Sequence, residues 1–334
     1  LISIFNLLAR RIRFQMNLAG LLFILFFLLH LSGLLFSDNM DKGWFEIELK
    51  LSLLLFPFLF VGIKPSKAMM IFAAQGFVLG VFLADTISFG RLFWEIYVSS
   101  EWLEDYWPYA FSIFMHPSYF AIYNVFALSS YVFLRIANKE HLKSRWIFLI
   151  DFVLVLIVIS SVILSKSKIG LIAMILVGLI VLGWYINLFR QKWKPLLAVV
   201  LMLTPLFYFA EHSSYLSGRW KVFNESREIP EINPNSKEST VNRIMIYESA
   251  SEIIEAQPWY GMGTGDFQDV LNDRYACKEY AYPLKRSYNA HNLFLQVFIS
   301  LGFPGVILLT LILIHQILLS ARTRNMLHFL FILL

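Results

Sequence analysis

The sequence predicts an all-α fold: a polytopic transmembrane helical bundle carrying one large loop on the non-cytoplasmic side. Three observations predict it. Hydrophobic residues make up 58% of the chain and charged residues 15%, against about 45–50% and 25% in soluble domains. One folded core could not hide that much apolar surface, whereas a bilayer can. The apolar residues also fall into runs close to the ~20 residues a spanning helix needs. Finally, the basic residues sit in short clusters between those runs. Despite a net charge of +5, this reads as a topology signal and not as a nucleic-acid-binding stripe.

In chain order the spans are 18–36, 49–63, 68–88, 117–134, 146–164, 169–189, 195–210 and 292–319, and another starts near 325. Inside lipid the backbone must satisfy its own hydrogen bonds, so each run is a helix. The second run is short and carries Glu46, Glu48 and Lys50 at one end. Residues 1–334 read as a single polytopic membrane domain. The chain begins at Leu1 and stops inside an apolar run, which fits a piece of a longer protein that lacks spans at both ends. Arg10, Arg11 and Arg13 precede a full-length span, as a start-transfer helix would have it.

Orientation follows from the short connections. One set holds Arg10, Arg11, Arg13, Lys64, Lys67, Arg135, Lys139, Lys143, Arg145, Arg190, Lys192, Lys194, Arg322 and Arg324; the alternate set holds only Lys42, Arg91, Lys166 and Lys168. The positive-inside rule places the first set in the cytoplasm. By alternation, residues 211–290 form a large outer loop. Within it, a turn-rich stretch 224–239 precedes a helix expected over 241–256, which Ser239 or Thr240 caps and Pro258 with Gly261 ends. A glycine-rich turn, Gly261 to Phe267, and a polar, tyrosine-rich stretch then lead to Ala290-His291-Asn292 at the membrane.

Several constellations could carry chemistry. His291-Asn292 is followed by nine residues and then Gly302-Phe303-Pro304-Gly305. A neutral imidazole there could take a proton from a hydroxyl, or merely anchor the helix. Lys166 and Lys168, flanked by Ser165 and Ser167, break the positive-inside pattern, which suits anion binding, although snorkelling lysines look the same. Arg243, in the first turn of the loop helix, could hold phosphate or pair with Tyr247 or Glu248. Arg219 is a weaker candidate of the same kind. Gly263 and Gly265 make a poor nucleotide motif, because no strand precedes them; they read as a structural turn whose N–H groups could form a small anion nest. His116, before Pro117, could line a cleft. Asp85, Asp266 and Glu248 are the outer carboxylates, and their spacing suggests no metal cage. Asp85 and Asp151 are expected near span ends. The lone cysteine, Cys277, permits neither an internal disulfide nor a cysteine-based zinc site.

These pieces, in this order, resemble the bacterial O-antigen ligase family, with the related O-antigen polymerases and O-linked oligosaccharyltransferases. The match rests on Leu164-Ser165-Lys166-Ser167-Lys168-Ile169-Gly170, on Asn242-Arg243 with the helix running to Pro258 and the turn Gly261–Phe267, on His291-Asn292-x9-Gly302-x-x-Gly305, and on the large loop between them. It covers roughly 110–320. The resemblance implies a GT-C-like glycosyltransferase fold in the bacterial inner membrane with a periplasmic active site. It implies transfer of a glycan from a polyprenyl-diphosphate carrier to an acceptor hydroxyl, on lipid A-core or another surface glycan. It implies no cofactor, metal, nucleotide or nucleic acid. His291 would activate the acceptor and Arg243 would hold the diphosphate. The family commonly has an arginine where this chain has Lys168, which keeps the charge but loses the bidentate fork. Asn292, Gly263, Gly265, Asp266 and His116 would support the site. A polymerase or a protein O-oligosaccharyltransferase would share these features. A transporter or flippase is the reading from another class, but no repeat is visible.

Overall fold

The computed structural model describes residues 16–60, 66–95, 97, 111–137, 145–189, 234–235, 239–323, 328 and 332. The expected span 195–210, the one near 325, Arg219 and most of the loop before 239 lie outside the described residues. Every regular element among the described residues is a helix, so the protein is an all-helical, multi-pass membrane protein. Leu18–Phe36, Ala68–Trp94 and Leu293–Thr323 are each long and apolar enough to cross a bilayer. Val153–Leu164 and Lys168–Ile180 are shorter apolar stretches. Large side chains such as Phe72, Leu35 and Ile172 stand exposed on these helices, where lipid would cover them.

Internal contacts sort the chain into two compact units. The first comprises Leu1–Lys64 with Val222–Leu319, and the second Pro65–Lys221 with Ser320–Leu334.

The first unit opens with α1 (Leu18–Ser32), capped by Asn17, whose Oδ1 accepts from the Gly20 N–H at 2.7 Å. A 3-10 turn over Gly33–Phe36 extends it. Then come α2 (Met40–Lys50) and α3 (Ser52–Leu59), joined by Leu51 in helical conformation. This corrects the expected second span. The helical path starts at 40 and not at 49, and its first part, Met40–Lys50, is polar, with Asp41, Lys42, Glu46, Glu48 and Lys50. The hydropathy pattern hid the first turns because Glu46 and Lys50 count as charges, yet the two pair with each other one turn apart. Asn39 caps the start, its Oδ1 accepting from the Lys42 N–H.

The segment expected to form the outer loop supplies α8 (Ser239–Ala256), α9 (Phe267–Cys277) and α10 (Ala281–Arg286). The first of these matches the expected helix, but α9 and α10 fall where only a polar stretch was expected. Phe267, Leu271 and Tyr275 recur every four residues and are buried. They pack with Val241, Met245, Ile246, Ala250 and Ile253 of α8, and with Tyr280, Ala290 and Ile299, into one core. The described part of the loop is therefore a small helical layer with its own apolar centre. The last helix, α11 (Leu293–Thr323), packs Val297, Leu301, Leu309 and Ile312 against Leu22 and Phe26 of α1.

The second unit holds α4 (Lys67–Trp94), α5 (Pro117–Ala137), α6 (Arg145–Leu164) and α7 (Lys168–Phe189). Ala121 and Val125, Val158 and Val162, and Ala173, Met174 and Val177 form its core from α5, α6 and α7 in turn. Gly170 fits this packing closely, since a Cβ there would lie 2.4 Å from the Ala121 Cβ.

Candidate functional site

The His-Asn-x9-Gly-x-x-Gly spacing has a structural basis within the first unit. Helix α11 is broken at Gly302, whose φ of 62° and ψ of −156° lie in a region essentially reserved for glycine. Pro304 follows and has no N–H to give. The carbonyls stranded by the break are taken by the glycine turn: Met262 N–H donates to the Ile299 carbonyl at 2.7 Å and Gly263 N–H to the Ser300 carbonyl at 3.0 Å. In return Phe303 N–H donates to the Pro258 carbonyl at 3.0 Å. A broken helix that meets lipid needs such substitutes, because lipid supplies none. The approach is tight. A Cβ on Gly302 would sit 2.5 Å from the Trp259 carbonyl oxygen, and one on Gly261 2.6 Å from the Leu301 nitrogen. Gly305 lets the helix resume, a Cβ there meeting the Leu301 Cβ at 2.6 Å.

The other side of the same turn is fastened to the end of α1. Thr264 N–H donates to the Gly33 carbonyl and its hydroxyl to the His30 carbonyl, at 3.3 and 2.7 Å. Gly265 N–H donates to Ser37 Oγ at 2.9 Å. The Asp266 carboxylate accepts from the Asp38 and Asn39 N–H groups at 2.7 and 2.8 Å, and Asp269 accepts from Asn39 Nδ2 and Lys42 Nζ. The nest reading of this turn is thereby corrected. The N–H groups of Met262, Gly263, Thr264 and Gly265 all reach protein acceptors, and Gly263, Gly265 and Asp266 act as a buckle joining α1, α11 and the loop.

The buckle leaves His291 at the start of α11. Its backbone is left-handed, with φ 47°, a conformation that histidine tolerates better than most residues. Its N–H donates to Asn289 Oδ1 at 3.0 Å, and its ring meets Tyr288 edge to face at 5.0 Å. Ala290 beside it is fully buried in the loop core, while the His291 side chain is exposed. Asn292 is the cap of α11, its Oδ1 accepting from the Phe294 and Leu295 N–H groups at 2.9 and 3.3 Å. The two residues divide the labour: asparagine starts the helix and histidine presents an imidazole.

Arg243 lies on α8 between Asn242 and Met245, which are buried, and is itself exposed. The expected alternative partner, Glu248, is engaged elsewhere: it accepts from Lys278 Nζ at 2.6 Å and from the Tyr280 hydroxyl at 2.7 Å. Lys278 also reaches Glu252 at 2.5 Å. Val241 and Met245, on either side of Arg243, share a core with Ala290, the neighbour of His291. One apolar cluster thus carries both side chains.

The hydrogen bonds from Lys278 and then Tyr280 hold the Glu248 carboxyl below its ordinary value of 4.5, while burial, and after it the bond to Glu248, push the Tyr280 hydroxyl up to about 12. A lowered carboxyl pKa in the fold gives stability that is present above the ordinary value and lost as pH falls through the lowered one. The difference in thermal midpoint between wild type and Glu248→Gln should therefore hold steady above about pH 5 and shrink in more acid solution. Midpoints followed by near-ultraviolet circular dichroism in detergent check this; a difference independent of pH would count against it.

In the second unit, Ser165-Lys166-Ser167-Lys168 forms the turn between α6 and α7. Its two serines are buried and its two lysines exposed. Lys166 takes a left-handed backbone, φ 46°, and Ser167 caps α7, its Oγ accepting from the Gly170 N–H at 3.1 Å. His116 precedes α5 and helps cap it, its Nδ1 accepting from the Ser118 N–H at 3.3 Å. Asp85 departs from expectation. It is 1% exposed and sits within α4 at the level of Ser161, one turn before the end of α6; it is a buried carboxylate and not a solvent-facing one. Asn124 of α5 and Ser161 of α6 hold it, and polar partners on neighbouring helices are what make a buried aspartate tolerable.

Residues 152–310 match the family model described as O-antigen ligase. No curated protein compared with the chain matches it. The matched segment includes Lys166, Lys168, Arg243, the glycine turn, His291 and the Gly302 break.

Proposed function

We propose that this protein, similar over residues 152–310 to the O-antigen ligase family of glycosyltransferase-like membrane enzymes, moves a glycan from a polyprenyl-diphosphate carrier to an acceptor hydroxyl at the periplasmic face of the bacterial inner membrane. The observation that carries this reading is the exposed imidazole of His291 at the start of a broken helix. The Gly302 break and the glycine turn fasten that helix to the loop. A left-handed backbone at a non-glycine residue costs about 1–3 kcal/mol, and such residues cluster at active sites.

In the proposed reaction, the His291 imidazole accepts the proton of the acceptor hydroxyl. The hydroxyl oxygen then forms a bond to the anomeric carbon of the donor sugar. The bond from that carbon to the phosphate oxygen breaks, and the polyprenyl diphosphate leaves with the electron pair. Arg243 holds the diphosphate and offsets the growing negative charge; Lys166 and Lys168 are assigned the same task. Arg219 is a further cation for it. Asn292, Gly263, Gly265 and Asp266 keep the histidine in place, and His116 is assigned to the lining of the substrate cleft. The lipid-linked donor brings its own leaving group, so the scheme assigns no step to a metal or a nucleotide.

The test is a donor titration. A charge-assisted hydrogen bond is worth about 1.5–3 kcal/mol, so Arg243→Ala should raise the donor KM roughly 10- to 100-fold. The acceptor KM should stay near that of wild type. Arg243→Lys should recover part of the loss, since it restores the charge but not the fork. An unchanged donor KM in Arg243→Ala would remove that residue from the diphosphate site. Analysis of the product separates a capped lipid from a lengthened polymer or a glycoprotein.

A further inference from the structure

Beneath the Ser165–Lys168 turn lies a polar chain that the proposed chemistry does not use. Asp85 Oδ1 accepts two hydrogen bonds, from Ser161 Oγ of α6 at 2.9 Å and from Asn124 Nδ2 of α5 at 3.2 Å. The Asn124 amide also donates to the Phe120 carbonyl. Ser161 is one turn below Ser165 on α6, and its carbonyl accepts both the Ser165 N–H at 3.0 Å and the Ser165 hydroxyl at 2.7 Å. Asp85, Asn124, Ser161 and Ser165 are each at most 1% exposed. The far side of the turn is held by the close approach of Gly170 to Ala121, one helical turn from Asn124 on the same helix.

A buried aspartate in a membrane helix is costly and is retained where it has a task. Here its task can be read from its bonds. It joins three helices, α4, α5 and α6, at the base of the turn that presents Lys166 and Lys168. Long lysine side chains on a loosely held turn would sample many positions, and charge placed to within a fraction of an ångström is what recognition of a diphosphate requires. We propose that Asp85 is a positioning residue: through Ser161 and Asn124 it fixes the Ser165–Lys168 turn, so that Lys166 and Lys168 meet the diphosphate of the lipid-linked donor. This rests on the diphosphate role given to those lysines above. The working feature is the acceptor oxygen and not the negative charge, so Asp85→Asn preserves the device and Asp85→Leu breaks it.

Two measurements test this and separate it from the reading it rests on. The first follows the turn itself, by electron paramagnetic resonance of a nitroxide at Ile169→Cys in a Cys277→Ser background. The second is the donor KM against kcat in protein otherwise wild type. Asp85→Leu should make the label more mobile and raise the donor KM roughly tenfold, with kcat much less changed. Asp85→Asn should return both to wild type. Unchanged mobility in Asp85→Leu overturns the inference, and so does an Asp85→Asn protein as impaired as Asp85→Leu. Raised mobility with an unchanged donor KM shows that the tether exists but positions no diphosphate site; that outcome overturns the role of the lysines, and the positioning role with it. Should Asp85→Leu fail to insert, Ser161→Ala cuts a single bond of the chain. It should shift both measurements the same way by a smaller amount, and silence in the label would again overturn the inference.

Discussion

Replacing Gly302 by alanine should unfasten the α8–α10 layer from α11 and lower stability by ~3 kcal/mol, the upper range for forcing a side chain into such a backbone conformation. Conformational strain is one part of that loss. The new Cβ would also meet Trp259 backbone atoms, the carbonyl oxygen at 2.5 Å and the carbonyl carbon at 2.6 Å, and backbone cannot swing aside as a side-chain tip can. Relief requires either straightening α11 or lifting the 258–263 turn. Both break the exchange in which Met262, Gly263 and Phe303 donate across the junction. Lifting the turn would leave the Ile299 and Ser300 carbonyls without donors close to lipid. The expected readout is a thermal midpoint well below that of wild type, with new protease cleavage near Trp259 and Tyr260, which are already exposed. Gly305→Ala is the useful comparison. Its Cβ would meet the side chains of Leu301 and Val297, which can adjust, and its effect should be smaller. Equal, mild effects of the two substitutions would show that the break does not depend on Gly302.

The second large effect is chemical. His291→Ala should lower kcat for glycan transfer by about 10²–10⁴, the usual contribution of a positioned general base. The donor KM should stay near wild type, because the diphosphate is assigned to Arg243 and the lysines. Stability should change little: the His291 side chain is exposed, and the cap of α11 belongs to Asn292. Asn292→Ala separates the two roles. It should destabilise by ~1 kcal/mol through loss of the cap while leaving an imidazole in place. A His291→Ala protein with full kcat would end the assignment of the base.

Much of the fold can be read from hydropathy, since spans such as 18–36 and 146–164 return as helices with ends shifted by a few residues. What was missed has physical reasons. Helix α2 is polar by composition, yet its Glu46–Lys50 pair and its Asn39 cap are local features that an apolar count passes over. Helix α9 shows its buried stripe, Phe267, Leu271 and Tyr275, only at four-residue spacing within a charged segment. The candidate site divides in the same way. That His291 and Arg243 are exposed, and ride on one core, agrees with their sequence positions. The use of the glycine turn was not legible, because its partners, Gly33, Ser37, Ile299 and Ser300, lie far away in the chain. Nor was the place of Asp85 legible: its neighbours in sequence say nothing of Asn124 or Ser161.

The central claim, that His291 serves as the base in transfer of a glycan from a lipid diphosphate, is tested most directly with purified protein in detergent, a labelled polyprenyl-diphosphate glycan and an acceptor glycolipid. Wild type should release one polyprenyl diphosphate for each glycan joined to acceptor. His291→Ala should bind the donor equally well and release almost none. Equal transfer by the two proteins, or glycan movement seen only across sealed vesicles and never in detergent, would contradict the claim.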